Sequence, residues 1–311
     1  MYERANSGAT TACLYPAEVH ESDWLPLAEA HADRVRPWVD GRLARRPRGE
    51  KNAIEDFLFD YYPYSPGRLA TWHPGHGVVL EGMHAQRYLD LAGYRSVDGG
   101  VTADLAWLGP RRLRLDLAIR ILTSTSTRPA MTGCFGLHEW AMVYGLDQEQ
   151  VRHHYLPLRI SPSEVAATVD AVGLRCTHID AYRFFTPTAV PLNEYEPTRE
   201  TQPAMEQPGC LHSSMDLYKY AFWFAPLVSS DLIADCFENA ARARELDMRA
   251  SPYDMTPFGL EAIPVETPEG RRQYAFGQQA VISASVPLRT RLVATLTALR
   301  DAADCTTSSA G

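Results

Sequence analysis

Apolar positions three and four residues apart recur along most of the chain, and strict alternation is confined to short stretches. That balance predicts a mainly α protein with a few short strands, an α+β chain built as a single globular domain. Trp24, Leu27, Val35 and Trp38 share one helical stripe. Ser22 is its expected N-cap, Pro26 fits the first turn, and Pro37 is expected to kink or end it. Ile54, Phe57, Leu58 and Tyr61 repeat the spacing until Pro63, Pro66 and Gly67 interrupt it, and VVLEG after the WHPGHG turn reads as a strand. Residues 112–123 suit a helix, and LHEWAMVYG starts another after the break at RPAMTGCFG.

SPSEVAATVDAVG carries Ser161 as N-cap, Pro162 at the first position, Glu164 closing a capping box and Gly173 as C-cap. LRCTHIDAYRFF alternates and is rich in β-formers, which predicts a strand. The chain turns helical from Ser213, with Ser213 and Asp216 in capping-box spacing, and SSDLIADCFENAARARELDM is a second helix. The run from Arg271 to Asp304 reads as one or two helices broken near Pro287. Residues 1–21 are expected as a flexible N-terminal arm, 22–300 as the globular catalytic domain, and 301–311 as a disordered tail.

Composition adds limits. The 311 residues carry a net charge of −8, which argues against strong binding to duplex DNA. The best local basic patch is Arg42, Arg45, Arg46, Arg48 and Lys51, whose ordinary role is a solvated connection. No apolar run reaches the roughly 18 residues of a membrane span, and no apolar signal core opens the chain, so a cytoplasmic location is expected. The six cysteines include no C-x-x-C pair, which suits reduced thiols.

Several strings concentrate reactive side chains. In THIDAYR, a strand would put His178 and Asp180 on one face, where the carboxylate fixes the imidazole's tautomer, with Arg183 near enough to clamp an anion. In GCLHSSMDLYKYAFW, Cys210 and His212 precede the expected helix start at Ser213. The free N–H groups there attract anions and keep an imidazole neutral, ready to accept a proton, while Asp216 and Lys219 follow inside. Helix capping and core packing are the structural alternatives for both strings. GCFGLHEWAM places His138 and Glu139 after a Gly-flanked turn but is not H-E-x-x-H, so no zincin helix is expected. His73 and His76 are three apart in a turn, weak evidence for a metal without further ligands. Arg249 and Tyr253 lie in a Pro-containing loop that can carry a site. No dinucleotide fingerprint, P-loop or G-x-S-x-G occurs, and neither a metal nor an organic cofactor is expected.

Taken together, DFLFDYYPYSPGRLATWHPG, GCFGLHEWAMVYG, HIDAYRFFTP, EQPGCLHSSMDLYKYA and DMRASPYD resemble a group of actinobacterial proteins labelled 3-methyladenine DNA glycosylase, over most of residues 50–275. The label implies base extrusion and hydrolysis of a C–N glycosidic bond. An association of relatives with natural-product gene clusters implies C–N bond chemistry on an amine, of which aziridine-type ring closure is one form. None of the motifs of the helix-hairpin-helix, helical-repeat or β-rich glycosylases occurs here.

The expectation is therefore a small-molecule enzyme of acid–base displacement or elimination at carbon. Its catalytic residues would be His178, Asp180, His212 and Asp216. Arg183, Lys219, Arg249, Tyr253, His73, Tyr62, His138 and Cys210 would bind a substrate with an anionic group. The alternative is a glycosylase in which Asp180 or Asp216 activates water and Tyr61, Tyr62 and Trp72 stack on a base.

Overall fold

In the computed structural model, which describes residues 17–151 and 155–308, helices form where apolar positions repeat at helical spacing. Chain order is β1 (Ala17–Val19), α1 (Glu21–Arg45), α2 (Phe57–Tyr61), α3 (Pro66–Ala70), β2 (Val78–Leu80), β3 (Tyr94–Val97), β4 (Gly100–Ala103), α4 (Arg112–Ser126), α5 (Leu137–Ala141), α6 (Pro162–Val172), α7 (Ile179–Tyr182), α8 (Gln202–Met205), α9 (Leu211–Phe222), α10 (Ser230–Ala250) and α11 (Pro268–Ser308), with single 3-10 turns between several of them. The described residues are mainly α with one small sheet, as the periodicity predicts.

The sheet runs β1-β2-β4-β3, with β1 parallel to β2 and the other pairs antiparallel. Val97 pairs with Gly100, so Asp98–Gly99 is a two-residue hairpin loop. A small core of Trp24, Trp72, Leu80, Ala85, Tyr88 and Val101 sits on the sheet, with the Trp24 and Trp72 rings stacked. The main core surrounds α9, which packs on α10 and α11, while α11 also covers α4.

Several expectations are corrected. His20, not Ser22, is the N-cap of α1, the helix continues through Pro37 to Arg45, and Leu27 is exposed. The expected strand LRCTHIDAYRFF is instead one bridge between Leu174 and Asn193 followed by the short helix α7, in which the Ala181 and Tyr182 N–H groups donate to the His178 carbonyl. There the Asn193 side chain exchanges hydrogen bonds with the Cys176 backbone, and His178 becomes the N-cap residue of α7.

α9 starts at Cys210, three residues before the expected cap, so Ser213 and Asp216 are both buried inside the helix. The side chain of Gln207 accepts from the Gly209 N–H and that of Gln278 donates to the Gly209 carbonyl, holding the chain that enters α9, whose N-cap Cys210 makes no side-chain cap bond. A side chain at Gly209 would collide with the Met131 carbonyl at 2.3 Å, so only glycine lets the chain enter here.

α11 runs unbroken through Pro287. A proline inside a helix costs about 3 kcal/mol. Val281, Ile282, Leu288, Leu292, Leu296 and Leu299 are buried on both sides of it. Each contributes about 1.5–3 kcal/mol, enough to keep the helix continuous against its neighbours. The expected arm and tail shift as well: Ala17–Val19 pairs in the sheet, Glu21 opens α1, and α11 extends to Ser308. The remainder of both segments, with Cys13, lies outside the described residues. No helix of the described residues is long and apolar enough to cross a membrane.

Candidate functional site

A helix buried on every side is normally apolar. α9 is buried on every side and yet carries His212, Ser213, Ser214, Asp216 and Lys219. Ionisable groups in such a place must be paired or carry a function.

α5, α7 and α10 supply the partners. Before α5 the chain turns through Phe135 at φ 47° and Gly136 at φ 74°. A side-chain-bearing residue in that left-handed region costs about 1–3 kcal/mol, strain that concentrates at functional sites. The turn sends His138 and Glu139 into the core. His138 Nε2 lies 2.8 Å from Asp247 Oδ1 of α10. Arg244, one turn earlier on α10, places Nη1 2.7 Å from Glu139 Oε1 and 3.3 Å from Asp247 Oδ2, and its guanidinium covers the Phe57 ring at 3.9 Å. The His212 ring meets that of His138 edge-on, with centroids 4.5 Å apart, and stacks on His178 at 5.3 Å on its other side.

Beyond His212 lies a second group. His178 Nε2 is 3.4 Å from both Glu206 Oε1 and Asp216 Oδ2. Asp216 also receives the Lys219 ammonium and the Tyr62 hydroxyl. Lys219 Nζ reaches Asp180 Oδ2 at 3.6 Å, and Asp180 is held in turn by Arg199 and, at 3.4 Å, by Arg183.

These contacts separate the proton affinities. Burial, reinforced by His138 and His178, holds the His212 imidazole well below its ordinary value and therefore uncharged. Burial also pulls His138 down, but Asp247 outweighs it and the imidazole is raised. His178 is raised against burial by Glu206 and Asp216. Burial pushes the Glu206 carboxyl up, whereas at Asp216 burial is outweighed by Lys219 and His178, which hold the carboxyl far below the usual range. Two carboxylates beside one imidazole thus differ sharply in proton affinity.

The array opens on a cavity of about 310 Å³. His212, Glu139, Arg244 and Asp180 form its polar walls, Lys51, Asn52 and Asp60 lie on the same surface, and Phe57, Tyr61, Met142, Tyr155 and Phe184 supply apolar faces.

Of the residues expected from sequence, His138, His178, Asp180, Arg183, His212, Asp216 and Lys219 gather here, joined by Tyr62. The expected pairing of His178 with Asp180 across a strand face is replaced by Glu206 and Asp216, because α7 is a turn of helix. Cys210 is the N-cap of α9, and burial pushes its thiol up, away from thiolate. Three residues lie elsewhere. Arg249 pairs with Glu245 and lines a different depression. Tyr253 is buried where its backbone bridges Leu158. His73 bonds to Tyr94 near the small core. Trp72 belongs to that core too, so it forms no stacking platform with Tyr61 and Tyr62.

Sequence reading missed Arg244, Asp247, Glu206 and Arg199. Arg244 and Asp247 did leave a signal: they continue the buried stripe Ile233, Phe237, Ala240 of α10, where an apolar residue is the rule. Glu206 and Arg199 lie in the 193–210 segment, which has no such period.

Comparison with protein-family models, curated proteins and solved structures finds no match to this chain.

Proposed function

We propose that the protein is a small-molecule enzyme performing polar displacement or elimination at carbon, with a C–N bond made or broken, in the cavity beside α9. The observation that carries this reading is the convergence of an uncharged imidazole, a buried guanidinium and a buried carboxylate on one cavity of about 310 Å³. That size suits a small molecule.

Each wall has a task. Asp180, kept anionic against burial, shares its charge with Arg199, Arg183 and Lys219, and the aromatic rings of Phe57 and Tyr61 offer faces for a substrate amine. Lys51 supplies positive charge for an anionic group, including charge that develops on a departing one, while the Arg244 charge is already held by Glu139 and Asp247. The lone pair of the uncharged His212 is available for a proton or an electrophile. A substrate bearing both an amine and an anionic group fits this lining. The acidic walls and the ion-paired state of the surface arginines, Arg42 with Asp56 and Asp60, Arg45 with Asp56 and Arg48 with Glu50, favour it over an extended nucleic acid.

The test is a thermal-shift screen of small amines, anionic esters and compounds carrying both groups, run beside an assay for base release from alkylated duplex DNA. The expected result is stabilisation by compounds with both groups, lost in Asp180→Asn, and no base release. Release of alkylated purine by the wild-type chain overturns the reading.

A further inference from the structure

We infer that His138, His212 and Asp247 form a binding site for one divalent transition-metal ion, of the zinc or ferrous-iron class, in the wall of the cavity. Three buried atoms carry the inference. His138 Nε2, His212 Nδ1 and Asp247 Oδ1 each have no hydrogen-bond partner among the described residues. Ligand atoms from these three residues lie within 4.8 Å of one another. A buried polar atom left unpaired costs about 1–3 kcal/mol; the His138–Asp247 contact offsets part of that cost for two of the three, His212 Nδ1 has no partner, and one ion bound to all three would satisfy the set. Nε2 and Oδ1 are 2.8 Å apart but out of line for a hydrogen bond. Metal bonds of about 2.0–2.2 Å put neighbouring ligand atoms roughly 3.0–3.4 Å apart, so small side-chain shifts complete the set.

The surroundings fit. Cys134 Sγ lies 3.9 Å from His138 Nδ1, an acceptor for a proton on Nδ1 in the tautomer whose Nε2 would bind a metal. Arg244 binds Asp247 through Oδ2 and leaves Oδ1. Two imidazoles and one carboxylate suit zinc or ferrous iron, with further positions left for substrate. The site adjoins the cavity through His212, which is one of its walls. The neighbouring group His178, Glu206 and Asp216 is spaced similarly but already holds a cation, since the Lys219 ammonium sits on Asp216 Oδ2. It serves as an internal control. The inference deepens the cavity reading, resting on it only for what the ion would do, namely polarise an anionic substrate group.

The test uses the full-length chain without a histidine tag. It is stripped with chelator, loaded with zinc or, anaerobically, with ferrous iron, and desalted, and bound metal is measured by mass spectrometry. A single retained ion per chain is expected. Affinity should fall at least about 100-fold in His138→Ala and Asp247→Asn, exceeding the effect of losing an outer partner, and hold in His178→Ala. If a ligand variant fails to fold, cobalt(II) added to the wild-type chain decides: intense visible bands of a four- or five-coordinate ion support the site, and the weak spectrum of the hydrated ion overturns it. Metal retained unchanged by a folded His138→Ala chain also overturns it. A chain that binds the ion but responds to no amine leaves the metal site standing and removes the proposed substrate.

Discussion

The hydroxyl of Tyr62 donates to Asp216 Oδ1 at 2.8 Å, tying the end of α2 to the middle of α9. Both residues are buried, so Tyr62 acts as a tether of the ionic array rather than as a face for substrate. Tyr62→Phe keeps the ring and removes the donor. A hydrogen bond to a charged group contributes about 1.5–3 kcal/mol, and a loss of that size is expected in urea unfolding. An unchanged midpoint would show that the tether does not hold the array.

Arg244 is expected to matter more for folding than any surface arginine. It is buried against Glu139, Asp247 and Phe57. Arg244→Met keeps the volume but takes the cation from two buried carboxylates, and removing one partner of a buried pair costs about 3–5 kcal/mol. Thermal and urea unfolding should both register it. Arg36→Met, at an exposed pair with Asp33, should cost less than about 1 kcal/mol.

Acid sensitivity should depend on Asp56. Burial raises its carboxyl, but the hydrogen bond from Arg45, the Asn52 N–H and the charges of Arg45 and Arg42 outweigh burial and hold it below its ordinary 3.8. A carboxyl with a lowered folded value contributes stability that is full above the unfolded value and is lost as pH falls through the folded one. Unfolding free energy measured from about pH 6 down to about pH 3 should therefore decline, and Arg45→Gln should make the decline shallower. An identical acid limb in the variant would remove Asp56 from the account.

Pro287→Ala is expected to stabilise the protein. The helix is already continuous there, so alanine restores a backbone donor and removes the ring's clash with the preceding turn. Alanine is about 3 kcal/mol better than proline in a helix interior, and the more flexible unfolded chain offsets about 0.4–1 kcal/mol of that. A gain near 2 kcal/mol in urea unfolding follows. A loss would mean that Pro287 packs in a way alanine cannot replace.

Local pattern was enough for the helices whose signals lie within one turn. Ser161 and Glu164 form the reciprocal cap of α6 that their spacing predicts, and the stripes of α4 and α10 are helices. The same reasoning singled out His178, His212, Asp216 and Lys219 as reactive and close in sequence to element ends. It could not choose their partners. Whether THIDAYR became a strand depended on a neighbouring edge, and among the described residues only the Leu174–Asn193 bridge forms before it. Whether α11 broke at Pro287 depended on apolar burial on both flanks, a non-local gain that exceeds the local cost. Glu206 reaches His178 across about 30 residues of chain and Asp247 reaches His138 across more than 100, relations set by packing. The sequence determined which segments carry ionisable chemistry and that helices hold it. Only the tertiary structure decided which charges are buried against which, because desolvation and Coulomb terms depend on distances that no local period encodes.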